Sequence, residues 1–108
     1  EDNTFRVGHE KLCPEEVENV IQKQFNLSEV VVSKVKNNIL DWVPFALAVK
    51  SSKSKITSYI IQNKIRSYLS NYKIPKKIEF IKKIPKTAYG KIDRKKIEII
   101  CKKFNEKK

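Results

Sequence analysis

The sequence predicts a single small domain of the α+β class. Apolar residues recur at helical spacing in three segments, whereas β-branched or alternating apolar runs occupy others, and no segment repeats another. The length of 108 residues suits one domain with one modest core. We expect an N-terminal β-hairpin, a three-stranded sheet packed by two helices, and a C-terminal helix after an irregular loop.

The N-terminal third is predicted to form the hairpin and the first helix. Apolar and polar residues alternate over residues 3–12, and the chain must turn tightly at Gly8-His9. Pro14 suits the first position of a helix, and Asn26 is expected to end that helix in the left-handed conformation. One face of this helix is predicted to hold Val17, Val20, Ile21 and Gln24, and Phe25 closes its apolar stripe.

Two strands and a second helix are predicted next. Residues 30–35 form a β-branched run, and residues 43–49 place large apolar groups on one face and alanines on the other, which suits a central strand. Asn37-Asn38 marks the turn between them. A helix is expected over residues 56–72, followed by a short strand at residues 78–81. The apolar stripe of this helix would be Ile61, Ile65, Tyr68, Leu69 and Tyr72.

Composition restricts the classes of function. The net charge is +12, and residues 72–108 hold fourteen Lys and Arg against four acids, so they carry +10 of it. This field attracts phosphates, nucleic acid or an acidic protein, without choosing among them. No apolar stretch is long enough to span a membrane, so we expect a soluble cytoplasmic protein. We expect Cys13 and Cys101 to be free structural thiols, and with only His9 to join them no metal site is predicted.

The most informative loop precedes the last predicted helix, for which Asp93 is a suitable N-cap. Lys91 follows Gly90, which lacks a Cβ and so lets a ligand approach the backbone. A lysine ammonium is a compact charge that can meet a phosphate during nucleophilic attack. Physical chemistry alone also allows a solvated lysine in a lysine-rich region.

The string PKTAYGKIDR at residues 85–94 resembles the last signature motif of the adenylate-forming superfamily, usually P-x-T-x-(S/N)-G-K-(I/V/L)-D-R. Residues 70–80 are similar to its element containing Y-K-x-P, and residues 39–48 to its I-L-G-E-x-P-x-A-F-V strand. Residues 2–18 resemble its hinge and the loop G-G-E-K-x-x-P-x-E. The resemblance runs in order from residue 2 to about residue 96, and its loop form favours acyl-CoA synthetases.

The resemblance implies a role for each matching position. Lys91, beside Gly90, would contact the carboxylate and the ATP α-phosphate during adenylation, and Asp2 would be the hinge of a domain rotation. A second loop would then form part of the tunnel for the pantetheine thiol, and its residues are Gly8, His9, Glu10 and Lys11. ATP with Mg would be held mainly by a large N-terminal domain of the same chain. The other partners would be a carboxylic acid and either coenzyme A or an acidic pantetheinyl carrier protein.

The resemblance also implies an internal division of the domain. It assigns residues 1–13 to the hinge and hairpin loop, 14–84 to the α+β core, 85–94 to the lysine loop and 95–108 to the C-terminal helix. Three departures stand out, because His9 replaces a glycine, Asp41-Trp42 replaces Gly-Glu, and Tyr89 replaces Ser or Asn.

Two alternatives belong to other functional classes. One is a basic nucleic-acid-binding module, with tyrosines that stack on bases; the predicted placement of Tyr68 and Tyr72 on an apolar stripe argues against it. The other is a protein-docking domain without catalysis. Only Lys91 separates this alternative from the ligase interpretation. Under the ligase interpretation, the isolated 108 residues are expected to be inactive, because the nucleotide-binding core of the family is absent from them.

Overall fold

A long β-hairpin lies at the centre of the computed structural model, which describes residues 3–107. Strands β3 (Leu27–Asn37) and β4 (Asp41–Lys50) pair antiparallel, and β5 (Ile78–Phe80) pairs parallel with β4. The strand order β3-β4-β5 confirms the prediction of a central strand for residues 43–49. The turn is also confirmed, since the Asn37 side-chain oxygen accepts from the amides of Ile39 and Leu40, both at 2.9 Å.

The N-terminal hairpin and the first helix form as the sequence predicts. Strands β1 (Phe5–Val7) and β2 (Glu10–Leu12) pair antiparallel around Gly8-His9, and helix α1 (Pro14–Gln24) begins at its proline. The left-handed stop at Asn26 is wrong, because Asn26 is not among the described residues with positive φ. The C-cap residue Phe25 is already extended, since the chain passes almost directly from α1 into β3.

The second helix is shorter than predicted. Helix α2 (Ser58–Ile65) is capped by Thr57, whose Oγ1 accepts from the amide of Ile60 at 3.2 Å, and a 3-10 turn (Asn71–Lys73) follows. The segment folds back along α2, because the Gln62 side chain donates to the carbonyl groups of residues 75 and 76. Tyr68 is therefore 52% exposed, and its predicted place on a buried stripe is wrong. Tyr72 does pack against the core.

The two faces of the sheet are covered by different helices. Ala46 and Ala48 of β4 are buried in a cluster with apolar residues of α1 and α2. On the opposite face, Phe45 and Leu47 are buried with residues of helix α3 (Arg94–Glu106). Small side chains on one face let two helices approach the sheet, whereas large ones on the other fill the space beneath a single helix. The fold is thus a three-layer α+β domain of the predicted class.

The last helix begins as predicted. The Asp93 carboxylate accepts from the amide of Lys96 at 3.1 Å, so α3 begins at Arg94, one residue before the predicted start. The apolar face of α3 includes Cys101, which is completely buried. Burial raises the pKa of the Cys101 thiol to about 12, so this cysteine behaves as a small apolar core residue.

Adjacent isoleucines of α2 provide a matched test of the core. Ile61 is completely buried, whereas Ile60 is 47% exposed. We expect Ile61→Ala to lower the free energy of unfolding by about 2–5 kcal/mol, since it leaves a cavity between α2 and the sheet. Ile60→Ala should change it by about 0.5 kcal/mol or less. Urea denaturation followed by circular dichroism measures both, and equal losses would contradict the assigned packing.

Candidate functional site

The loop that carries Lys91 is closed by its own backbone. The Thr87 amide donates to the Lys91 carbonyl at 2.7 Å, and the Gly90 amide donates to the Thr87 carbonyl at 2.9 Å. Gly90 has φ +82°, and a Cβ built on it would meet nothing within 4 Å. Glycine is therefore required for the left-handed turn rather than for close packing, and the space beside it is open. Tyr89, at the tip, is 92% exposed.

The side chain of Lys91 is available for an external ligand. It is exposed, and within residues 3–107 no carboxylate lies at ion-pair distance from its ammonium. Its neighbour Lys86 is paired instead, with 2.9 Å between its Nζ and Oε2 of Glu29. Among the described residues, the Lys91 ammonium therefore has no compensating carboxylate beside the closed loop.

The base of the loop is joined to the sheet. Lys86 and Ile92 form an isolated antiparallel bridge, and the Asp93 amide donates to the Pro85 carbonyl at 3.1 Å. The ion pair between Lys86 and Glu29 connects this base to the first residues of β3. Exposed ion pairs of this kind contribute about 0.2–1 kcal/mol, so its main effect is on the position of the loop.

Arg94, three residues after Lys91, ties the start of α3 to β3 and α1. Its Nη1 donates to the Val32 carbonyl at 3.4 Å, and its guanidinium lies 3.6 Å from the carboxylates of both Glu15 and Glu18. Glu18 Oε2 in turn accepts from the Val32 amide at 2.8 Å. Both backbone groups of Val32 are thus satisfied by side chains. No sequence pattern predicted these contacts, and the only signal for them was the arginine that ends the motif.

Burial raises the pKa of the Glu18 carboxyl above its ordinary value of 4.5, although the Val32 amide and Arg94 partly offset this effect. The folded chain therefore holds a proton on Glu18 more tightly than the unfolded chain does. By linkage, Glu18 contributes stability at low pH. This contribution is lost as pH rises from the ordinary pKa of 4.5 through the raised pKa of the folded chain.

The substitution Glu18→Gln tests this linkage. It keeps an oxygen that can accept from the Val32 amide but cannot ionise, so the fall in stability with rising pH should be reduced. Urea denaturation at several pH values from about 3.5 to 7 gives the difference between wild type and variant. Glu10→Gln, at an exposed position, is the control for the loss of a carboxylate. If the free energy of unfolding of wild type instead rises relative to that of Glu18→Gln as pH rises, pairing with Arg94 outweighs burial.

The second candidate loop rests on the turn between β3 and β4. The Gly8 amide donates to the Leu40 carbonyl at 3.3 Å, and a Cβ at Gly8 would lie 3.2 Å from Leu40 Cδ2. Gly8 has φ +63°, whereas His9 is not among the described residues with positive φ, so a second glycine is not required there. His9 is exposed, and its carbonyl accepts from Arg6 Nη1 at 3.1 Å.

The other two residues of this loop, Glu10 and Lys11, are exposed and belong to β2. The Lys11 carbonyl accepts from the hydroxyl of Tyr72 at 3.4 Å. Residues 8–11 are therefore held at both ends through their backbone, while the side chains of residues 9–11 point into solvent.

The structure places the two candidate loops at opposite ends of the β3-β4 hairpin. The Lys91 loop is paired with Glu29 at the start of β3, whereas Gly8 is bonded to Leu40 beyond its end. At about 3.3 Å per residue, the strand between them spans roughly 25 Å. Lys91 and residues 8–11 therefore do not form a single site. The predicted hinge residue Asp2 lies outside the described residues.

Asp41 and Trp42, which replace the usual Gly-Glu pair, begin strand β4. Asp41 has φ +69°, a conformation that favours glycine and that aspartate tolerates better than most residues. Trp42 is half-buried, and the ammonium groups of Lys34 and Lys36 lie 4.5 Å and 4.7 Å from its ring centroid. The tryptophan therefore packs beneath two lysines of β3.

The possible metal ligands of residues 3–107 are dispersed. In this part of the chain, no group of three or more His, Cys, Asp and Glu side chains could hold a metal ion. Over the same residues, no helix is long and apolar enough to cross a membrane. Cys13 and Cys101 are both free, as expected.

Comparisons with known proteins agree with this architecture. The sequence model of the AMP-binding enzyme C-terminal domain matches residues 16–91. The chain is 33% identical over 90 residues to oxalate–CoA ligase of Saccharomyces cerevisiae, covering 83% of this chain and 17% of that protein. It is 37% identical over 82 residues to a long-chain-fatty-acid–CoA ligase of Haemophilus influenzae, covering 76% of this chain and 14% of that protein.

The fold also matches a solved structure. The crystal structure of ATP-bound MatB from Rhodopseudomonas palustris has a TM-score of 0.90 and 19% identity, covering 97% of this chain and 21% of that one. At this identity the likeness concerns the fold alone. The chain spans about a fifth or less of each of these proteins.

Proposed function

Because this chain belongs to the family of AMP-binding enzyme C-terminal domains, we propose that it is the mobile domain of a larger AMP-forming acid–thiol ligase. Its role is to supply the adenylation lysine and then to rotate so that a different loop faces the active site. The observation that carries this proposal is Lys91, exposed and unpaired within the described residues beside the open turn at Gly90.

Lys91 is proposed to act in the first half-reaction. A substrate carboxylate attacks the α-phosphate of ATP, the bond to pyrophosphate breaks, and an acyl-adenylate forms. Negative charge grows on the phosphate oxygens during this step, and a positioned ammonium stabilises it. The residues fit this task, because a Cβ at Gly90 would meet nothing and the adjacent space can admit a ligand. ATP and its Mg are assigned mainly to the large N-terminal domain.

The distance between the two candidate loops gives the rotation a physical reason. Loops roughly 25 Å apart along a strand cannot face one small active site at the same time. A domain that turns about a hinge can present them in succession, with Lys91 for adenylation and residues 8–11 for thiol transfer. We assign the hinge to Asp2 within residues 1–13. The lysine loop is residues 85–94, between the core of residues 14–84 and the helix of residues 95–108.

Residues 8–11 are proposed to line the path of the pantetheine thiol in the second half-reaction. The thiol sulfur attacks the acyl carbon, AMP leaves, and a thioester forms. Both curated relatives described above are named CoA ligases, so we favour coenzyme A over a carrier protein as acceptor. A cytoplasmic location is proposed, since free cysteines persist in reducing compartments. A nucleic-acid-binding or docking module without catalysis is not favoured, because the family match covers residues 16–91 and both relatives described above are named CoA ligases.

Substitution of Lys91 tests the first assignment in the full-length ligase. Lys91→Ala should reduce acid-dependent exchange of pyrophosphate into ATP by about 100-fold or more, since it removes the charge that stabilises the transition state. Thioester formation from pre-made acyl-adenylate should stay within about threefold of wild type. Lys83→Ala, also exposed in the same connection, is the matched control. Unchanged exchange in Lys91→Ala would remove this lysine from the mechanism.

A bulky residue at position 8 tests the second assignment. Gly8→Val should slow thioester formation from acyl-adenylate at least tenfold more than it slows pyrophosphate exchange, because the side chain would narrow the thiol path. Any Cβ at this position both contacts Leu40 and strains the left-handed backbone at φ +63°, so Gly8→Ala with Leu40→Ala is the control for strain without bulk. A selective loss of thioester formation in Gly8→Val that exceeds the loss in this control supports a blocked path. Equal loss in both half-reactions would argue against a thiol-tunnel role.

A further inference from the structure

We propose that a groove along the free edge of β3 binds an extended, acidic segment of a partner protein, which joins the sheet as an additional strand. This β3-edge groove has a volume of about 670 Å³ and lies between β3 and α3. Its lining includes Lys34, Lys36, Trp42, Lys95, Ile99 and Lys102. The proposal does not depend on the role of Lys91.

The orientation of the β3 backbone makes strand addition feasible. Val32 directs its amide and carbonyl away from β4, because Glu18 and Arg94 bond to them there. The register with β4 is regular from Val30 to Asn37, so the backbone groups of Lys34 and Lys36 point the same way. Within residues 3–107, no side chain bonds to these outward groups. They offer two donors and two acceptors to an incoming strand.

The charge of the groove selects an acidic partner. Lys34 and Lys36 lie on the face of the sheet that carries Trp42 of β4. Lys95 and Lys102 belong to α3, which covers the other face. Glu98 and Glu106 also line the groove, so four positive charges stand against two negative ones. Successive residues of an added strand alternate between the two faces of a sheet, and each face would meet two lysines. Acidic side chains on both faces of the partner strand are therefore favoured.

Apolar surface in the groove favours a partner strand that is not acidic throughout. Ile99 is 55% exposed on α3, although the opposite face of that helix is buried. Trp42 is half-buried beneath the ammonium groups of Lys34 and Lys36. Lysines on edge strands often protect against strand pairing. Here the ammonium groups of both edge lysines lie over the Trp42 ring on one face of the sheet, and Lys36 is exposed.

The probe is an acetylated, amidated octapeptide of sequence Glu-Glu-Val-Val-Glu-Glu-Val-Val, titrated into the 108-residue chain at about 0.15 M salt. Trp42 is the only tryptophan, so its fluorescence reports directly on the groove. We expect saturable binding with a change in Trp42 emission. The same peptide methylated on its four valine nitrogens keeps its charge but loses donors on both strand edges, and it should bind at least tenfold more weakly.

Charge reversal tests the same groove from the protein side. Lys36→Glu with Lys102→Glu should weaken peptide binding at least tenfold. Lys55→Glu with Lys64→Glu, two exposed positions outside the groove, changes the net charge equally and should stay within twofold of wild type. Equal binding of the methylated peptide would overturn strand addition in favour of charge attraction alone. Equal weakening by the two double variants, or no saturable binding, would overturn the groove itself.

Discussion

The antiparallel pairing of β3 with β4 is the constraint on which the rest of the molecule depends. Strand β5 pairs with one edge of this hairpin, and the helices cover its two faces. The loop of Lys91 is attached near its open end through Glu29, and the loop of Gly8 rests on its turn through Leu40. A rigid hairpin therefore sets the distance between two loops for which different chemical steps are proposed.

Within residues 3–107, the edge of β3 that faces away from β4 pairs with no other strand, and the contacts of its backbone differ along its length. At Val32, Glu18 and Arg94 satisfy the backbone, and these contacts also hold the first turn of α3 next to the Lys91 loop. Towards Lys36, which is exposed, the lysine side chains lie over Trp42 instead. Part of one edge therefore supports the position of the lysine loop, while the remainder is the surface proposed for a partner strand.

The positive charge of the C-terminal half is divided between paired and unpaired groups. Lys73 and Lys86 form ion pairs with glutamates of other elements and help to hold the domain together. Lys91 has no such partner within the described residues, and its loop is stabilised by backbone hydrogen bonds instead. The backbone hydrogen bonds therefore fix the loop from which Lys91 projects, while its flexible side chain carries a charge that can reach a phosphate.

The sequence by itself determined those features that depend on neighbouring residues. Examples are the turn at Gly8-His9, the helix start at Pro14, the cap at Asp93 and the alternation of β4. The motif at residues 85–94 likewise led to Lys91 without any structure. Each of these signals lies within a few residues along the chain, where local sterics and hydrogen bonding dominate.

Tertiary structure decided what depends on residues far apart in the chain. Helix α2 ends at Ile65, where i→i+3 hydrogen bonds replace the α-helical pattern, and the chain then folds back to bond with Gln62; Tyr68 is exposed despite its helical spacing. The contact of Arg94 with Val32 joins residues 62 positions apart, and no local pattern encodes it. The separation of the two candidate loops was likewise not predicted from the sequence, because it depends on the length of β3 and on which end of β3 each loop contacts.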